Sequence, residues 1–297
     1  MTRRALVVTH GGREEAVAAT AEAVRELEHA GFEAVHAGEP GGVEQRVDLT
    51  GVEIAVVLGG DGTILRAAEL TRGTSIPMLG VNLGHVGFLA ESERDDISAA
   101  VRRVATGDYE VEERGTLEVR AMLPGEPEPV LSSWALNEAT VEKADRDRMI
   151  EVVVEVDGRP LSSFGCDGVV MSTSTGSTAY AFSAGGPVVW PDVDGMILVP
   201  VSAHALFARP LVVGPRSVLA VEVLTRSTSA GVVSCDGRRR FDLPVGARVE
   251  VRRSDVPVRL ARLSRAPFAD RLVSKFSLPV EGWRGRSPGS PTRAAAP

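Results

Sequence analysis

The stretch that decides the fold class is Val56-Val57-Leu58-Gly59-Gly60-Asp61-Gly62-Thr63-Ile64-Leu65. Its apolar opening predicts a buried strand, its glycines predict a turn, and the residues from Thr63 onward predict a helix. Glycines let a backbone approach an anion closely, and a helix N-terminus offers free N–H groups to it. Open α/β sheets bind ligands at the carboxyl ends of their parallel strands. The stretch therefore predicts a phosphate-binding turn.

Asp61 is the residue of this turn that can carry chemistry. A carboxylate is costly where phosphates arrive unless it binds a cation or takes up a proton. The alternative interpretation is that Asp61 or Thr63 only caps the helix that follows, because Asp and Thr are frequent capping residues. The turn lacks the Gly-Lys-Ser/Thr of a Walker loop and the third glycine of the dinucleotide fingerprint.

Alternating strand and helix patterns surround the turn and predict an α/β domain over residues 1–114. Apolar, β-branched runs predict strands, and apolar residues at helical spacing predict helices. This alternation is typical of a mostly parallel sheet. The strands are expected at 5–9, Phe32–His36, Val52–Leu58 and 77–81, and the helices at 14–30 and 63–70.

Beyond Gly115 the pattern changes to short segments rich in Val, Leu and Thr. Turn pairs such as Asp157-Gly158 and Asp236-Gly237 separate them, which is typical of antiparallel strands. Residues 115–263 are therefore predicted to form a β-rich, sandwich-like domain. Its strands are expected at 116–122, 135–142, Ile150–Val156, 168–172, 217–224, 231–234 and 248–252.

The C-terminal residues divide into two parts. Residues 264–284 include an amphipathic segment, Phe268–Phe276, and are expected to return to the first domain. Residues 285–297 are rich in Gly, Pro, Ser, Arg and Ala, a composition that predicts a disordered tail.

Two segments of the β-rich half form a second polar constellation. Asn137-Glu138 places an amide beside a carboxylate, and a carboxylate can accept both hydrogens of a ribose diol; a solvated strand end is the alternative. Residues 166–180 run from an apolar strand into a dense set of hydroxyls around Gly176 and end at Tyr180. Hydroxyls suit phosphate and ribose oxygens, and Tyr180 can stack on a ring. The alternative here is a linker rich in Ser and Thr.

Bulk composition limits the possible classes of function. The chain has 297 residues with 43% hydrophobic content and a formal net charge of -7, which favours two globular domains over a nucleic-acid binder. No stretch is long and apolar enough for a membrane span or a signal peptide. The two cysteines, Cys166 and Cys235, form no disulfide framework or metal motif. A cytoplasmic protein is expected.

Together these segments resemble the NAD kinase family. Residues 59–63 match its GGDGT motif, Asn137-Glu138 its NE dipeptide, and 167–180 its DG…STPTGSTAY stretch. Residues 82–89 are similar to its N-x-G-x-L-GFL segment and 183–187 to its SAGGP. The resemblance runs in order from about residue 5 to 284 and implies the family's fold, an α/β domain followed by a β-sandwich.

The resemblance implies transfer of the terminal phosphoryl group of ATP, or of polyphosphate, to the 2′-hydroxyl of the adenosine ribose of NAD, with magnesium as cofactor. It also implies a homodimer or homotetramer. Asp61 is the candidate general base and is expected to help hold magnesium, and no residue is assigned as a dedicated metal ligand. The residues implied to contact NAD or ATP are Gly59, Gly60, Gly62 and Thr63 along the phosphates, Asn137 and Glu138 at the ribose, Asp167 and Ala179 at the nicotinamide half, Phe88, Thr178 and Tyr180 at the adenine, and Thr175, Ser183 and His204 within or near the matched motifs.

Two departures and two rival functions remain open at this point. Ser174 stands where the family commonly has proline, and Cys166 where a small residue is expected; neither replaces a group with a chemical role. A lipid kinase could use the same glycine turn, and a nucleotide sensor could use the same fold without turnover. The sequence leaves the choice between ATP and polyphosphate undecided.

Overall fold

The computed structural model describes residues 3–9, 14–37, 47–84, 87–264 and 267–280. The predicted tail at 285–297, the last four residues of the predicted return segment and His85 lie outside these ranges. None of the helices in the described ranges is long and apolar enough to cross a membrane.

The first part of the chain is an α/β layer, as predicted. Strands β1, β2, β3 and β4 are parallel neighbours in the order β4-β3-β1-β2. The apolar side chains of β1, β3 and β4 are almost fully buried, because helices cover the sheet. The elements are β1 Arg3–Thr9, α1 Glu14–His29, β2 Phe32–His36, β3 Val52–Leu58, α2 Asp61–Thr71, β4 Met78–Asn82, β5 Ser92–Glu93 and α3 Ile97–Thr106.

Helix α3 lies in a stretch for which the sequence patterns gave no prediction. It buries Ile97, Ala100, Val101 and Val104, which lie at helical spacing. The helix has only ten residues, and polar residues between the buried positions weaken the apolar pattern in the sequence. Helix α2 begins at Asp61, two residues before the predicted start.

The second part is built from strands that form two packed sheets. One core is shared between them and includes Leu117, Val152 and Val249 from one sheet and Val141 and Met171 from the other, which confirms the sandwich-like prediction. The elements are β6 Glu110–Met122, β7 Leu131–Ala135, β8 Glu138–Lys143, β9 Ile150–Val156, β10 Arg159–Cys166, β11 Gly168–Thr173, α4 Tyr180–Ser183, β12 Met196–Val201, β13 Leu211–Val213, β14 Val218–Val223, β15 Gly231–Cys235, β16 Arg239–Leu243, β17 Arg248–Arg262 and α5 Phe268–Phe276.

One sheet runs through both parts of the protein. Its main path is β10-β9-β14-β17-β4-β3-β1-β2, and β17 joins the parallel strands through the single pair Leu260 and Met78. The other sheet has six strands in the order β13-β12-β11-β8-β15-β16. Strand β17 pairs with β4 of the first part and with β14 of the second, so it links the two halves, and β6 pairs with almost its whole length.

Two strand predictions need correction. The strand predicted at 135–142 is interrupted between β7 and β8, because the N–H groups of Leu136 and Asn137 bond to the distant Asp236 carboxylate instead of to a neighbouring strand. The strand predicted at 248–252 continues to Arg262, with an irregular register between Ser254 and Val258; its frequent charged residues hide this length in the sequence.

Helix α5 forms at the amphipathic segment Phe268–Phe276 and lies against the first part of the chain. Its Phe268 and Phe276 rings lie 5.9 and 5.8 Å from the ring of Phe88. No residue of the helix is fully buried, so α5 is attached by a few side chains on one face.

Candidate active site

The glycine turn between β3 and α2 has two kinds of glycine. Gly59 has a φ of +152°, and a Cβ there would overlap the Thr63 side chain, so only glycine fits. Gly60 and Gly62 face open space, since a Cβ at either would meet no described atom within 4 Å. Packing inside the protein therefore explains why residue 59 is a glycine, whereas the space beside Gly60 and Gly62 is open to a ligand.

The Asp61 side chain does not cap helix α2. Gly60 occupies the capping position, and no side chain bonds to the first turn there. Instead, Asp61 Oδ2 accepts a hydrogen bond of 3.3 Å from the N–H of Phe88, and Oδ1 accepts one of 3.2 Å from the N–H of Leu89. A Cβ at Gly87 would overlap Asp61 Oδ1. The carboxylate is therefore held against the segment that follows β4, and the capping alternative is wrong.

The break at Asn137 is shaped by Asp236, which the sequence showed only as a turn residue. Asp236 Oδ1 accepts from Asn137 N at 2.7 Å, and Oδ2 accepts from Leu136 N at 2.9 Å. Its side chain is almost fully buried and pairs with Arg239 at 2.9 Å. The Asp236-Gly237 pair is visible in the sequence, but it is equally typical of an ordinary turn. Asp236 does adopt a positive φ of 52°, as a turn residue can.

Glu138 has the properties of a ligand-binding carboxyl group. The residue is 8% exposed, and its Oε2 has no hydrogen-bond partner among the described residues. Burial raises the pKa of Glu138 to about 8, and the nearby Asp236 and Glu142 carboxylates add to this, while the Tyr180 N–H opposes it. A buried oxygen without a donor is unusual in a folded protein, and a bound hydroxyl could supply the donor.

Most hydroxyls of the stretch 172–178 bond to the protein itself. Ser172 Oγ donates to Asn137 O at 3.0 Å, Thr173 Oγ1 donates to Leu136 O at 2.6 Å, and Ser177 Oγ donates to Val189 O at 3.1 Å. A Cβ at Gly176 would overlap the Asn137 carbonyl. Much of this set therefore fixes the chain at Asn137, and ligand contacts of Thr175 and Thr178 stay a prediction.

Two predicted binding residues, Tyr180 and Asp167, contact adjacent side chains at the end of β8. Tyr180 is 36% exposed, and its hydroxyl donates to Glu142 Oε1 at 3.0 Å. Burial and the bond to Glu142 raise the pKa of Tyr180 to about 12. Lys143 Nζ lies 2.6 Å from Asp167 Oδ1, and this hydrogen bond lowers the pKa of Asp167. Tyr180 and Asp167 are close enough for the Asp167 charge to contribute to the raised pKa of Tyr180.

The remaining predicted residues differ in exposure. Phe88 is only 7% exposed and packs against α5, so its adenine contact stays a prediction. Ala179, Thr175 and Thr178 are half-buried, whereas Ser183 and His204 are exposed. Thr175 Oγ1 accepts from Arg114 Nη1 at 3.5 Å and Thr178 Oγ1 donates to Thr175 O at 3.3 Å.

Two sets of contacts connect the glycine turn with the Asn137 region. Glu69 of α2 pairs with Arg239, which in turn bonds to Asp236. The Phe276 ring touches both Phe88 and Phe182, the latter at 4.5 Å. The predicted residues therefore fall into two clusters, one around Asp61 and one around Glu138, that the fold links directly.

These features define a class of protein. An open glycine turn at the carboxyl edge of a parallel sheet, with a fixed carboxylate, and a second buried carboxyl on an antiparallel sheet are the parts of a nucleotide-dependent phosphotransferase.

Comparison with known proteins gives the family within that class. The ATP-NAD kinase N-terminal domain matches residues 40–109, and the ATP-NAD kinase C-terminal domain matches residues 136–263. An NAD kinase of Leifsonia xyli is 62% identical, over 95% of this chain and 97% of its own length. The chain belongs to the NAD kinase family and is an enzyme that phosphorylates NAD, which confirms the resemblance found in the sequence.

Solved structures agree with the fold. An NAD kinase from Archaeoglobus fulgidus in complex with ATP has a TM-score of 0.72 and 28% identity, covering 93% of this chain and 98% of that one. Yeast NADH kinase complexed with NADH has a TM-score of 0.85 at 19% identity, covering 96% of this chain and 90% of that one; it supports the two-part architecture.

Proposed function

We propose that this enzyme transfers the terminal phosphoryl group of ATP or polyphosphate to the 2′-hydroxyl of the adenosine ribose of NAD, with Asp61 as the general base. The observation that carries the proposal is the Asp61 carboxylate, which two backbone N–H groups hold beside the open glycines of the turn. The ATP complex of the Archaeoglobus fulgidus relative supports ATP as the donor.

The chemistry needs an oriented acceptor of a proton. A ribose hydroxyl is a poor nucleophile at neutral pH, and phosphoryl transfer depends mainly on positioning and charge neutralisation. Each Asp61 oxygen accepts one backbone N–H and keeps lone-pair capacity for the hydroxyl proton. As the ribose oxygen bonds to phosphorus, its proton moves to Asp61 and the bond to the leaving phosphate oxygen breaks. General-base help of this kind contributes about 10²–10⁴ in rate.

The glycine turn would hold the donor phosphates. Gly60 and Gly62 leave the backbone accessible, and the N-terminus of α2 presents N–H groups and a positive dipole end. Gly59 and the buried Thr63 fix the shape of the turn, since their atoms pack against each other. All four residues would therefore serve phosphate binding. Gly60 and Gly62 would leave the backbone open to the phosphates, and Gly59 and Thr63 would hold the turn in shape.

We also propose magnesium as the cofactor. The described residues contain no group of three or more His, Cys, Asp or Glu side chains that could hold a metal, and a lone carboxylate fits Mg²⁺ because this ion is usually held by one or two carboxylates together with substrate phosphates. Asp61 would be its protein ligand. When bound, the ion neutralises phosphate charge.

NAD would bind along the second cluster. Glu138 would accept hydrogens from the adenosine ribose through the oxygen for which the described residues supply no donor, and Asn137 would lie beside it. Asp167 and Ala179 would face the nicotinamide half, whereas Tyr180, Thr178 and Phe88 would face the adenine. Further contacts are proposed for Thr175, Ser183 and His204.

The proposal includes the setting in which the enzyme works. We expect a cytoplasmic homodimer or homotetramer that acts on small nucleotides and binds neither nucleic acid nor membranes. The acidic net charge of -7 supports the expectation that the enzyme does not bind nucleic acid.

The test is a steady-state assay of the purified protein with NAD and either magnesium-ATP or magnesium-polyphosphate, in which an NADP-specific dehydrogenase reads the product. NADP formation that stops when EDTA removes magnesium is the expected result. A folded protein that binds NAD by calorimetry but forms no NADP with either donor would contradict the proposal. Comparing the two donors decides which one is preferred.

A further inference from the structure

The segment Phe88-Leu89-Ala90 is held from two sides. On one side its N–H groups donate to the Asp61 carboxylate. On the other side its carbonyls accept from two guanidinium groups: Arg271 Nη1 donates to Phe88 O at 3.4 Å and to Ala90 O at 3.2 Å, and Arg262 Nη1 donates to Leu89 O at 3.2 Å. The peptide unit between Phe88 and Leu89 therefore connects Arg271 to the proposed general base, and Arg262 binds the carbonyl of the next peptide unit.

Glu91 fixes both arginines. Its side chain is fully buried, and Oε2 lies 3.0 Å from Arg262 Nη1 and 2.5 Å from Arg271 Nη2. Its other oxygen accepts from Leu263 N at 3.1 Å and Ser264 N at 2.8 Å. Burial acts to raise the pKa of Glu91, but Arg271, the Ser264 N–H and Arg262 together bring it below its ordinary value. Glu91 is thus a stable anion that holds the guanidinium groups in place.

The two arginines come from elements far along the chain. Arg262 ends β17, and Arg271 lies on α5, which has no fully buried residue. We propose that Arg262 and Arg271, held by Glu91, are positioning residues that orient Asp61 through the segment 88–90, so that the C-terminal helix completes the catalytic site. This inference rests on the proposed role of Asp61 as general base.

The expected effect falls on turnover. Without the Arg271 guanidinium, the carbonyls of Phe88 and Ala90 lose their donor, and the two N–H groups that orient Asp61 can move. A misplacement of about 1 Å can cost about 10²-fold in rate, so Arg271→Gln should lower kcat by about 10–100-fold. NAD affinity should fall less than kcat, because Phe88 is the one proposed NAD-binding residue in this segment, whereas Asn137 and Glu138 are held by the separate Asp236 contacts.

The conservative variant offers a readout that a general loss of packing would not move. Arg271→Lys should recover part of the turnover, because an ammonium group can serve one of the carbonyls but cannot span both carbonyls and Glu91.

Arg259 provides a matched control on the same strand as Arg262. It pairs with Glu113 at 2.7 Å and donates to the Thr74 carbonyl at 2.6 Å, so it also combines an ion pair with a backbone contact. It does not bond to the segment 88–90. Arg259→Gln should leave kcat within about twofold of the unmodified enzyme while costing a similar amount of stability.

The deciding experiment is a double-mutant cycle between Arg271→Gln and Asp61→Asn, with kcat and the NAD dissociation constant measured well below each variant's Tm. In the Asp61→Asn background Arg271→Gln should have no further effect, since no carboxylate remains to be oriented. The same fold-loss in both backgrounds, or an equal loss from Arg259→Gln, would overturn the inference. Should Arg271→Gln fail to fold, Arg271→Lys takes its place in the cycle. Full turnover by Asp61→Asn alone would instead refute the proposed role of Asp61.

Discussion

At the scale of a single residue, the environment of Glu138 is evidence of a ligand-binding site. Its carboxyl group lies in a buried position, beside the Asp236 carboxylate, and one of its oxygens lacks a donor among the described residues. The Tyr180 N–H favours the charged form, but it does not offset the effect of burial. A group that is costly in the free protein and satisfied in a complex is typical of a binding site.

The raised pKa of Glu138 predicts a pH-dependent stability. The folded pKa of about 8 lies above the ordinary value of 4.5, so the folded protein retains a proton that the unfolded chain releases between these values. The contribution of Glu138 is therefore fully present below about pH 4.5 and is lost as the pH rises through 8. Glu138→Gln should gain stability relative to the unmodified protein as the pH rises from 6 to 9.

Urea unfolding of both proteins across this range measures the difference. Glu126→Gln, in an exposed turn, is the control and should show no such trend. A difference between Glu138→Gln and the unmodified protein that stays constant with pH would mean that Glu138 is ionised in the folded state.

The glycine turn allows a prediction that separates folding from binding. Gly59→Ala should lower stability by about 1–3 kcal/mol, because Gly59 has a positive φ and no room for a Cβ. Gly60→Ala should leave Tm nearly unchanged, because Gly60 has a φ of -85° and faces open space, yet it should raise the KM for ATP about tenfold. Thermal unfolding and donor titration check both. An unchanged KM for Gly60→Ala would place the phosphates elsewhere.

At the scale of elements, helix α5 is attached by one face. Phe276 stacks on Phe182 and touches Phe88, while Trp190 meets Phe268 edge-on at 5.2 Å. Because no residue of α5 is fully buried, these rings and Arg271 supply most of its attachment.

Removing one ring should release the helix without unfolding the protein. Phe276→Ala should cost about 1–2 kcal/mol and should speed hydrogen exchange of the amides in 268–276, while the core strands stay protected. Leu278→Ala, at a 41% exposed position, is the control. Unchanged exchange in α5 would show that the aromatic contacts do not hold it.

The elements also show what a sequence can and cannot predict. Strands β2, β3 and β9 were predictable to the residue, because apolar runs bounded by turn residues are local signals. The break at Leu136 and Asn137 was not, since its cause is a carboxylate about a hundred positions away. The site shows the same division: Asp61 stands out in its motif, whereas Asp236, Glu91 and Arg271 act through contacts that only the folded chain creates.

At the scale of the whole molecule, Arg239 links the two clusters of the site. It pairs with Glu69 on α2 and with the buried Asp236, donates to Trp134 O at 2.8 Å, and lies 4.5 Å from the centre of the Trp134 ring. The helix that begins at Asp61 is thereby tied to the carboxylate that shapes Asn137. The two halves share a continuous sheet and this polar contact.

Breaking the link should affect both stability and substrate binding. Arg239→Gln leaves the Asp236 carboxylate buried without its charged partner, which should cost about 2–3 kcal/mol and weaken NAD binding several-fold. Its neighbour Arg238, which pairs with Glu69 from a more exposed position, is the matched control, and Arg238→Gln should cost less than about 1 kcal/mol. Urea unfolding and calorimetry of NAD binding measure both. Equal effects of the two variants would contradict a specific role for Arg239.

Asp61 is expected to act in the chemical step and not merely to support the turn. The most direct measurement is the kcat of Asp61→Asn with NAD and magnesium-ATP, taken together with its NAD dissociation constant. We expect kcat to fall by at least about 10²-fold while the dissociation constant stays within about twofold, because the amide keeps the shape of the carboxylate but cannot accept the proton. Near-normal turnover by Asp61→Asn would contradict the role of Asp61 as general base.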